Sequence, residues 1–294
     1  MSKRKKILIT GAGSFVGTSV QKYLQQWSEK YEVVTVGTRN GEWKELDFST
    51  FDSVYHVAGL AHSDVGNVTD EIKRKYYAVN TDLTIEVAKK AKADGVRQFI
   101  FMSSAIVYGD SAPIGKSKII TRDTPYQPSN FYGDSKVQAE KGILPLSNEK
   151  FKVVVLRCPM IYGKGGKGNF LTLKKISLSV PFFPKVTNKR SMLYIDNLAE
   201  FVRLMIENEE KGIFWPCNRE LSNTSELVKM IAESHGKKVR LLSGFTWILK
   251  FTGLFTGYIN KAFGNLAYEE NIGNYKDEYR LYSLEQSIRE TEKQ

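Results

Sequence analysis

Residues 6–27 constrain the fold more than any other stretch. A short apolar run at 6–10 leads into Thr10-Gly11-Ala12-Gly13-Ser14-Phe15-Val16-Gly17. Beyond it, Phe15, Val16, Val20, Tyr23, Leu24 and Trp27 recur at helical spacing. A buried strand, a glycine turn and a helix in that order aim backbone N–H groups and the positive end of the helix dipole at one point. That arrangement suits a phosphate. Glycines there also let a ligand approach the backbone closely. An ordinary strand-to-helix turn is the alternative, but position and context favour cofactor binding.

The rest of the chain repeats the rhythm. Strands are expected over 31–36, 53–57, 96–103 and 151–156, and helices over about 69–94 and 132–144, with Gly95 as the stop of the first. Alternating strands and helices imply a parallel sheet covered on both faces. After Arg157 the pattern changes. Residues 163–168 read as a flexible basic loop, and Pro181-Phe182-Phe183-Pro184 cannot extend a regular element far. One more strand and helix are expected over 191–195 and 196–207, and helices dominate from Cys217 onward. No repeat or low-complexity linker divides the chain, so two lobes interleaved in sequence are expected.

Composition narrows the class. With 294 residues and 41% hydrophobic side chains, the chain can build a real core in one large or two smaller domains, which excludes a disordered or disulfide-stapled protein. Cys158 and Cys217 stand far apart, and His56, His62 and His235 supply no metal-ligand spacing. No metal site is expected, and the cysteine usage fits a reducing cytoplasm. The net charge of +11 includes Lys3, Arg4, Lys5 and Lys6, but the apolar run after them breaks at Gly11, too soon for a secretion signal. A basic excess favours anionic partners. Nucleic acid is not expected, since no basic motif is interleaved with stacking aromatics. Residues 241–260 raise a membrane question, but Lys250 at the middle would cost about 2.5–3.5 kcal/mol, so no span is expected. Ile248, Phe251, Phe255, Tyr258, Ile259 and Ala262 share one helical face. Packing on the chain itself or on a dimer mate is favoured over peripheral membrane contact, because the opposite side lacks a Lys/Arg-rich band.

Three further motifs carry chemistry. The end of the second strand reads Gly37-Thr38-Arg39, where a dinucleotide site usually places an acid for a ribose hydroxyl. Arg39 pairs with a 2′-phosphate or is a solvated turn residue; Asp47 follows as a cap on an adenine edge. Tyr132 and Lys136, at i and i+4, lie on one helix face, where an ammonium favours the phenolate and makes Tyr132 a usable acid/base. By itself this pair is common. Met102-Ser103-Ser104-Ala105 closes a strand, where open α/β sheets bind ligands, and Ser104 can hydrogen-bond a carbonyl or alcohol. His56-Val57-Ala58-Gly59 and Asn80 complete the set, with His56 read as filling a strand end.

Together, and in this order, these pieces resemble the extended short-chain dehydrogenase/reductase family in its nucleotide-sugar epimerase/dehydratase branch, over about residues 6–235. The resemblance includes Arg157-Cys158-Pro159-Met160-Ile161-Tyr162-Gly163, and departs where Ser14 stands in place of the usual glycine. It implies an α/β, Rossmann-type doubly wound parallel sheet with a smaller, mostly helical C-terminal substrate lobe. The dinucleotide-binding domain would span 1–160 with 191–215 returning to it; the lobe would span 161–190 and 216–294.

The resemblance also implies roles. Tyr132, Lys136 and Ser104 would be catalytic. Gly11, Gly13, Ser14, Phe15, Val16, Gly17, Thr38, Arg39, Asp47, Ala58, Gly59, Asn80, Lys136 and Pro159 would hold the cofactor, with NADP(H) favoured over NAD through Arg39. Ser104, Asn169 and Arg190 would meet a nucleotide-diphosphate sugar, with a UDP-linked sugar of surface-polysaccharide precursor synthesis expected. A homodimer is expected. Ala105-Ile106 supplies no acidic pair beside Ser104, which argues against dehydration. A 4-keto-sugar reductase is the leading expectation, with a UDP-glucose or UDP-N-acetylglucosamine 4-epimerase holding NAD as the alternative. A non-catalytic dinucleotide sensor is a third.

Overall fold

The computed structural model describes residues 4–61, 68–244, 263–276 and 278–293. The apolar period at 245–262, with His62, lies outside them. The described residues divide into two compact units. The first comprises 1–109, 126–158 and 198–216; the second comprises 110–125, 159–197 and 217–294. The division differs in detail from the sequence reading: residues 110–125 join the second unit, and the return to the first begins at Leu198 rather than 191.

The first unit is built on one six-stranded parallel sheet. Its strands are β1 (Lys5–Thr10), β2 (Tyr31–Val36), β3 (Ser53–His56), β4 (Gln98–Ser104), β6 (Lys152–Cys158) and β10 (Gly212–Phe214), in spatial order β10-β6-β4-β3-β1-β2. Period-two alternation sends Leu8, Val54, Phe99, Phe101, Val153 and Val155 into one fully buried cluster. In it they meet Val87, Ala88 and Ala91 of α3 (Leu83–Ala93) and Ala139 and Ile143 of α4 (Phe131–Ile143). The alternate residues Ile7, Ile9, Ile100, Val154 and Leu156 are equally buried and face α1 (Phe15–Leu24) and α6 (Ile195–Glu207). Those two helices are joined by the Tyr23 hydroxyl donating to Glu200 at 3.1 Å. The sheet is thus covered on both faces. β2 lies on one side of β1 and β3 on the other. That reversal is a topological switch point, where sheets of this kind open a crevice at the carboxyl ends of the strands.

The helix expected at 69–94 is present with a defect. It runs as α2 (Asp70–Tyr77), then a single π turn at Ala78–Asp82, then α3. Thr69 caps its start, accepting from the Ile72 N–H. A π turn inside an α-helix is a frequent mark of a functional position.

The second unit contains three two-stranded parallel pairs. β5 (Ile119–Ile120) pairs with β12 (Ala267–Tyr268), β7 (Met160–Tyr162) with β9 (Met192–Tyr194), and β8 (Phe182–Pro184) with β11 (Arg240–Leu242). The stretch at 181–184 is therefore a three-residue strand, ending where Pro184 removes a donor. Its helices are α5 (Asn169–Ser179), α7 (Thr224–Ser234) and α8 (Leu284–Glu292), the last opened by a capping box between Ser283 and Gln286. After Cys217 the described helices are α7 and α8; residues 245–262, where the sequence places a further helical face, lie outside the described residues.

Candidate active site

The glycine turn follows β1 as expected. Gly11 has φ +98°, and a methyl group on it would strike Ala58 N at 2.7 Å and Ala58 Cα at 2.8 Å. Only glycine allows this turn to lie against the loop after β3. Gly13 also has positive φ, but a methyl group there would meet nothing within 4 Å, so the space over it is open. Ser14, the departure from the usual glycine, caps α1: its hydroxyl accepts from Gly17 N at 3.1 Å. Phe15 and Val16 in the first turn keep N–H groups with no partner inside the helix. This cradle fits a dinucleotide pyrophosphate.

At the end of β2, Thr38 is half-buried and Arg39 exposed. Among the described residues the Arg39 guanidinium has no hydrogen bond or ion pair. Asp47 is exposed and already caps a short 3₁₀ turn, its Oδ1 accepting from Ser49 N at 2.9 Å. The Ser49 hydroxyl, and after it that backbone bond, hold its carboxyl below the usual range.

Three elements bring the proposed catalytic side chains together within the first unit. Asn130 caps α4, accepting from Gly133 N at 2.9 Å. A methyl group on Gly133 would lie 2.8 Å from Ile106 O, so this glycine lets α4 approach the turn after β4. Tyr132 on α4 is hydrogen-bonded to Ser104 at the end of β4. Lys136, one turn on, is buried and donates to Met102 O at 3.0 Å, with its ammonium 4.7 Å from the Phe101 ring centroid. A methyl group on Gly59 would come within 3.3 Å of Lys136 Nζ.

Asn80 sits in the π turn, fully buried. Its Oδ1 accepts from Leu60 N at 2.7 Å, and its Nδ2 donates to Leu60 O and Ser135 Oγ, both at 3.1 Å. Its carboxamide therefore fixes the Ala58–Leu60 loop and α4, rather than reaching outward. His56 is likewise a support. Thr84 donates its hydroxyl to Asn80 O, so the 3.1 Å contact to His56 Nε2 makes that nitrogen the donor and leaves Nδ1 to accept from Thr10 at 2.7 Å. Burial and the nearby Lys136 pull the ring down to about 3, so it stays neutral.

One electrostatic expectation is corrected. Desolvation pushes Tyr132 up to about 12, against the Ser104 hydrogen bond that lowers it. Desolvation also draws Lys136 down to about 8. The ammonium donates to Met102 O rather than depressing the phenol.

Pro159, Asn169 and Arg190 belong to the second unit. Pro159 is buried just before β7, and Asn169 is exposed at the first position of α5. Arg190 is half-buried, with Nη1 3.4 Å from Gly264 O, and desolvation lowers its pKa. Asp196, six residues on, is hydrogen-bonded by Tyr194. Among the described residues no group of three or more His, Cys, Asp or Glu could hold a metal ion, and no helix is long and apolar enough to cross a membrane.

Residues 7–214 match the NAD dependent epimerase/dehydratase family. The chain belongs to this family. A UDP-glucose 4-epimerase from Vibrio cholerae is 30% identical over 274 residues, which cover 86% of this chain and 83% of the relative. An N-acetyl-alpha-D-glucosaminyl-diphospho-ditrans,octacis-undecaprenol 4-epimerase from Escherichia coli O157:H7 is 28% identical over 252 residues, covering 79% and 73%. Among solved structures, RMD from Pseudomonas aeruginosa complexed with NADPH has a TM-score of 0.74 at 18% identity over 98% of each chain. At that identity the likeness concerns the fold.

For this epimerase/dehydratase family member, the side chains that escaped the sequence reading are supports: Ser135, Thr84, Glu140 and Arg157. Glu140 had a signal, since it continues the four-residue spacing of Tyr132 and Lys136.

Proposed function

We propose that the protein is a nicotinamide-dinucleotide-dependent enzyme acting at C4 of a sugar carried on a diphosphate, and that it interconverts C4 epimers. The observation that carries the chemistry is the Ser104–Tyr132 hydrogen bond beside buried Lys136, in the unit that holds the glycine cradle. Epimerisation is supported by the 30% identity with a UDP-glucose 4-epimerase along most of both chains. Dehydration is disfavoured because buried Ala105 and apolar Ile106 follow Ser104.

The dinucleotide, when bound, supplies a hydride acceptor and donor. Gly11, Gly13 and the first turn of α1 hold its pyrophosphate, Thr38 and Arg39 its adenosine ribose, Asp47 the adenine edge and Lys136 the nicotinamide ribose. Ser104 orients the C4 oxygen. Tyr132 Oη, once it has passed its own proton to solvent, takes the proton from the C4 hydroxyl as a phenolate and returns it to the oxygen when C4 is reduced from its other face. Asn169 and Arg190 bind the diphosphate, where a guanidinium suits phosphate oxygens.

Arg39 favours a second reading, in which NADPH binds and leaves and the enzyme reduces a 4-keto sugar. The nucleotide released on denaturing the purified protein separates the two. Stoichiometric NAD supports the epimerase, and an empty protein that binds NADPH supports the reductase. Assays with UDP-glucose, UDP-N-acetylglucosamine and N-acetylglucosaminyl diphosphopolyprenol then identify the carrier. Turnover of none of these would refute the proposal.

A further inference from the structure

Tyr132, Lys136 and Glu140 step down one face of α4 at four-residue intervals. The last three residues of β4 meet them one for one. Ser104 bonds Tyr132, Met102 O accepts from Lys136 at 3.0 Å, and the Ser103 hydroxyl donates to Glu140. Glu140 is fully buried. It is clamped by Arg157, the residue of β6 in register with Ser103. Arg157 Nη2 lies 2.7 Å and Nε 3.0 Å from Glu140 Oε2. Tyr126 donates to the same oxygen at 2.8 Å. Arg157 also donates to the hydroxyls of Tyr108 and Tyr126, both at 2.6 Å. The network lies wholly within the first unit.

Tying α4 to the sheet would not by itself require charge. An apolar pair of similar volume commonly serves a fold as well as a buried ion pair or better. What an apolar pair cannot supply is an anion one turn from Lys136. The titratable groups facing Lys136 are His56 from β3, Cys158 from β6, and Tyr132 and Glu140 on its own helix. His56 is neutral, and Tyr132 is protonated near neutral pH. Glu140 is therefore the carboxylate of this set. Its charge opposes the desolvation that draws Lys136 down to about 8.

From this ladder we infer that Glu140 is a positioning residue for Lys136. Its carboxylate, held in place by Arg157, Ser103 and Tyr126, keeps the ammonium charged where it meets the nicotinamide ribose. The inference rests on the role given to Lys136 under the proposed function.

The test follows binding as well as turnover. NAD and NADPH affinities of the full chain are measured from pH 6 to 10, with kcat/KM for whichever sugar is turned over. In the wild type, affinity falls as Lys136 loses its proton near pH 8. In Glu140→Gln the midpoint of that fall moves down by about one pH unit or more. Affinity at pH 8 then drops about tenfold, while at pH 6 it stays close to wild type. If the lone substitution prevents folding, the double variant Glu140→Gln/Arg157→Met, which leaves no unpaired buried charge, shows the same displaced midpoint. An unmoved midpoint in a folded variant, or an equal loss at every pH, overturns the inference and leaves the pair a structural tie. A wild type that binds dinucleotide but turns over no sugar refutes the proposed reaction, while the midpoint comparison still judges Glu140.

Discussion

The two units are held together by different means. The first relies on a continuous parallel ladder of backbone bonds, and its polar side chains are free to gather at the carboxyl ends of the strands. The second has strand pairs of two or three residues, and buried amides and hydroxyls do the pairing instead. Asn218 is the clearest case. Its N–H donates to Met192 O at 2.7 Å, its Oδ1 accepts from Tyr194 N at 2.9 Å, and its Nδ2 donates to the Tyr162 hydroxyl at 2.8 Å. Asn188 does the same for Thr224, accepting from its N–H and donating to its hydroxyl. Where the ladder is short, side chains must satisfy the main chain. Polar substitutions at the site formed by the strand ends of the first unit should therefore act on chemistry, and those at the pairing amides of the second unit on folding.

The strongest attack on that contrast is Tyr132→Phe. It is expected to lower kcat by about 10²–10⁴-fold with little change in thermal stability. A large loss of stability together with activity would break the comparison. Next comes Asn218→Ala, which strands the buried Tyr194 N–H and should cost about 1–3 kcal/mol in urea denaturation. A cost under about 1 kcal/mol would show that the second unit does not lean on such bonds. Arg190→Ala sharpens the division of labour. KM for the sugar substrate should rise about 10–100-fold with kcat nearly kept, as for loss of a charged hydrogen bond.

The last effect is read by pH. His56 titrates at about 3 in the folded chain against an ordinary 6.5, so between those values the unfolded chain binds the extra proton. Its contribution to stability is complete above about pH 6.5 and is lost as pH falls, by about 1.4 kcal/mol per unit. Urea midpoints of wild type and His56→Gln between pH 7 and 4 should diverge in slope; parallel curves would remove His56 as the cause.

The same contrast explains what was legible in the sequence. Strands β1, β2, β3, β4 and β6 announce themselves because period-two burial and turn glycines are local signals, and Gly11 needs its positive φ whatever lies beyond, whereas the three-residue β10 went unread. β5, β7 and β12 are too short to carry a period. Tyr132 and Lys136 were visible as a helix pair, but their protonation was not, because desolvation depends on partners distant in sequence. Asn80 was found and its work misjudged: only the fold reveals that Leu60 and Ser135 occupy its carboxamide. The Arg157 motif was read for its neighbour Pro159, while its guanidinium turns to Glu140.

The π turn at Ala78–Asp82 makes this helix intolerant of a one-residue deletion. A π turn amounts to a single surplus residue in an otherwise regular coil. Removing any one of the five would close the coil into a regular α-helix with its flanks still in phase and abolish the wide turn that aims Asn80 at its partners. Leu60 and Ser135 would then lose the amide that spans them, so natural variation here should favour exchanges of side chain over changes of length.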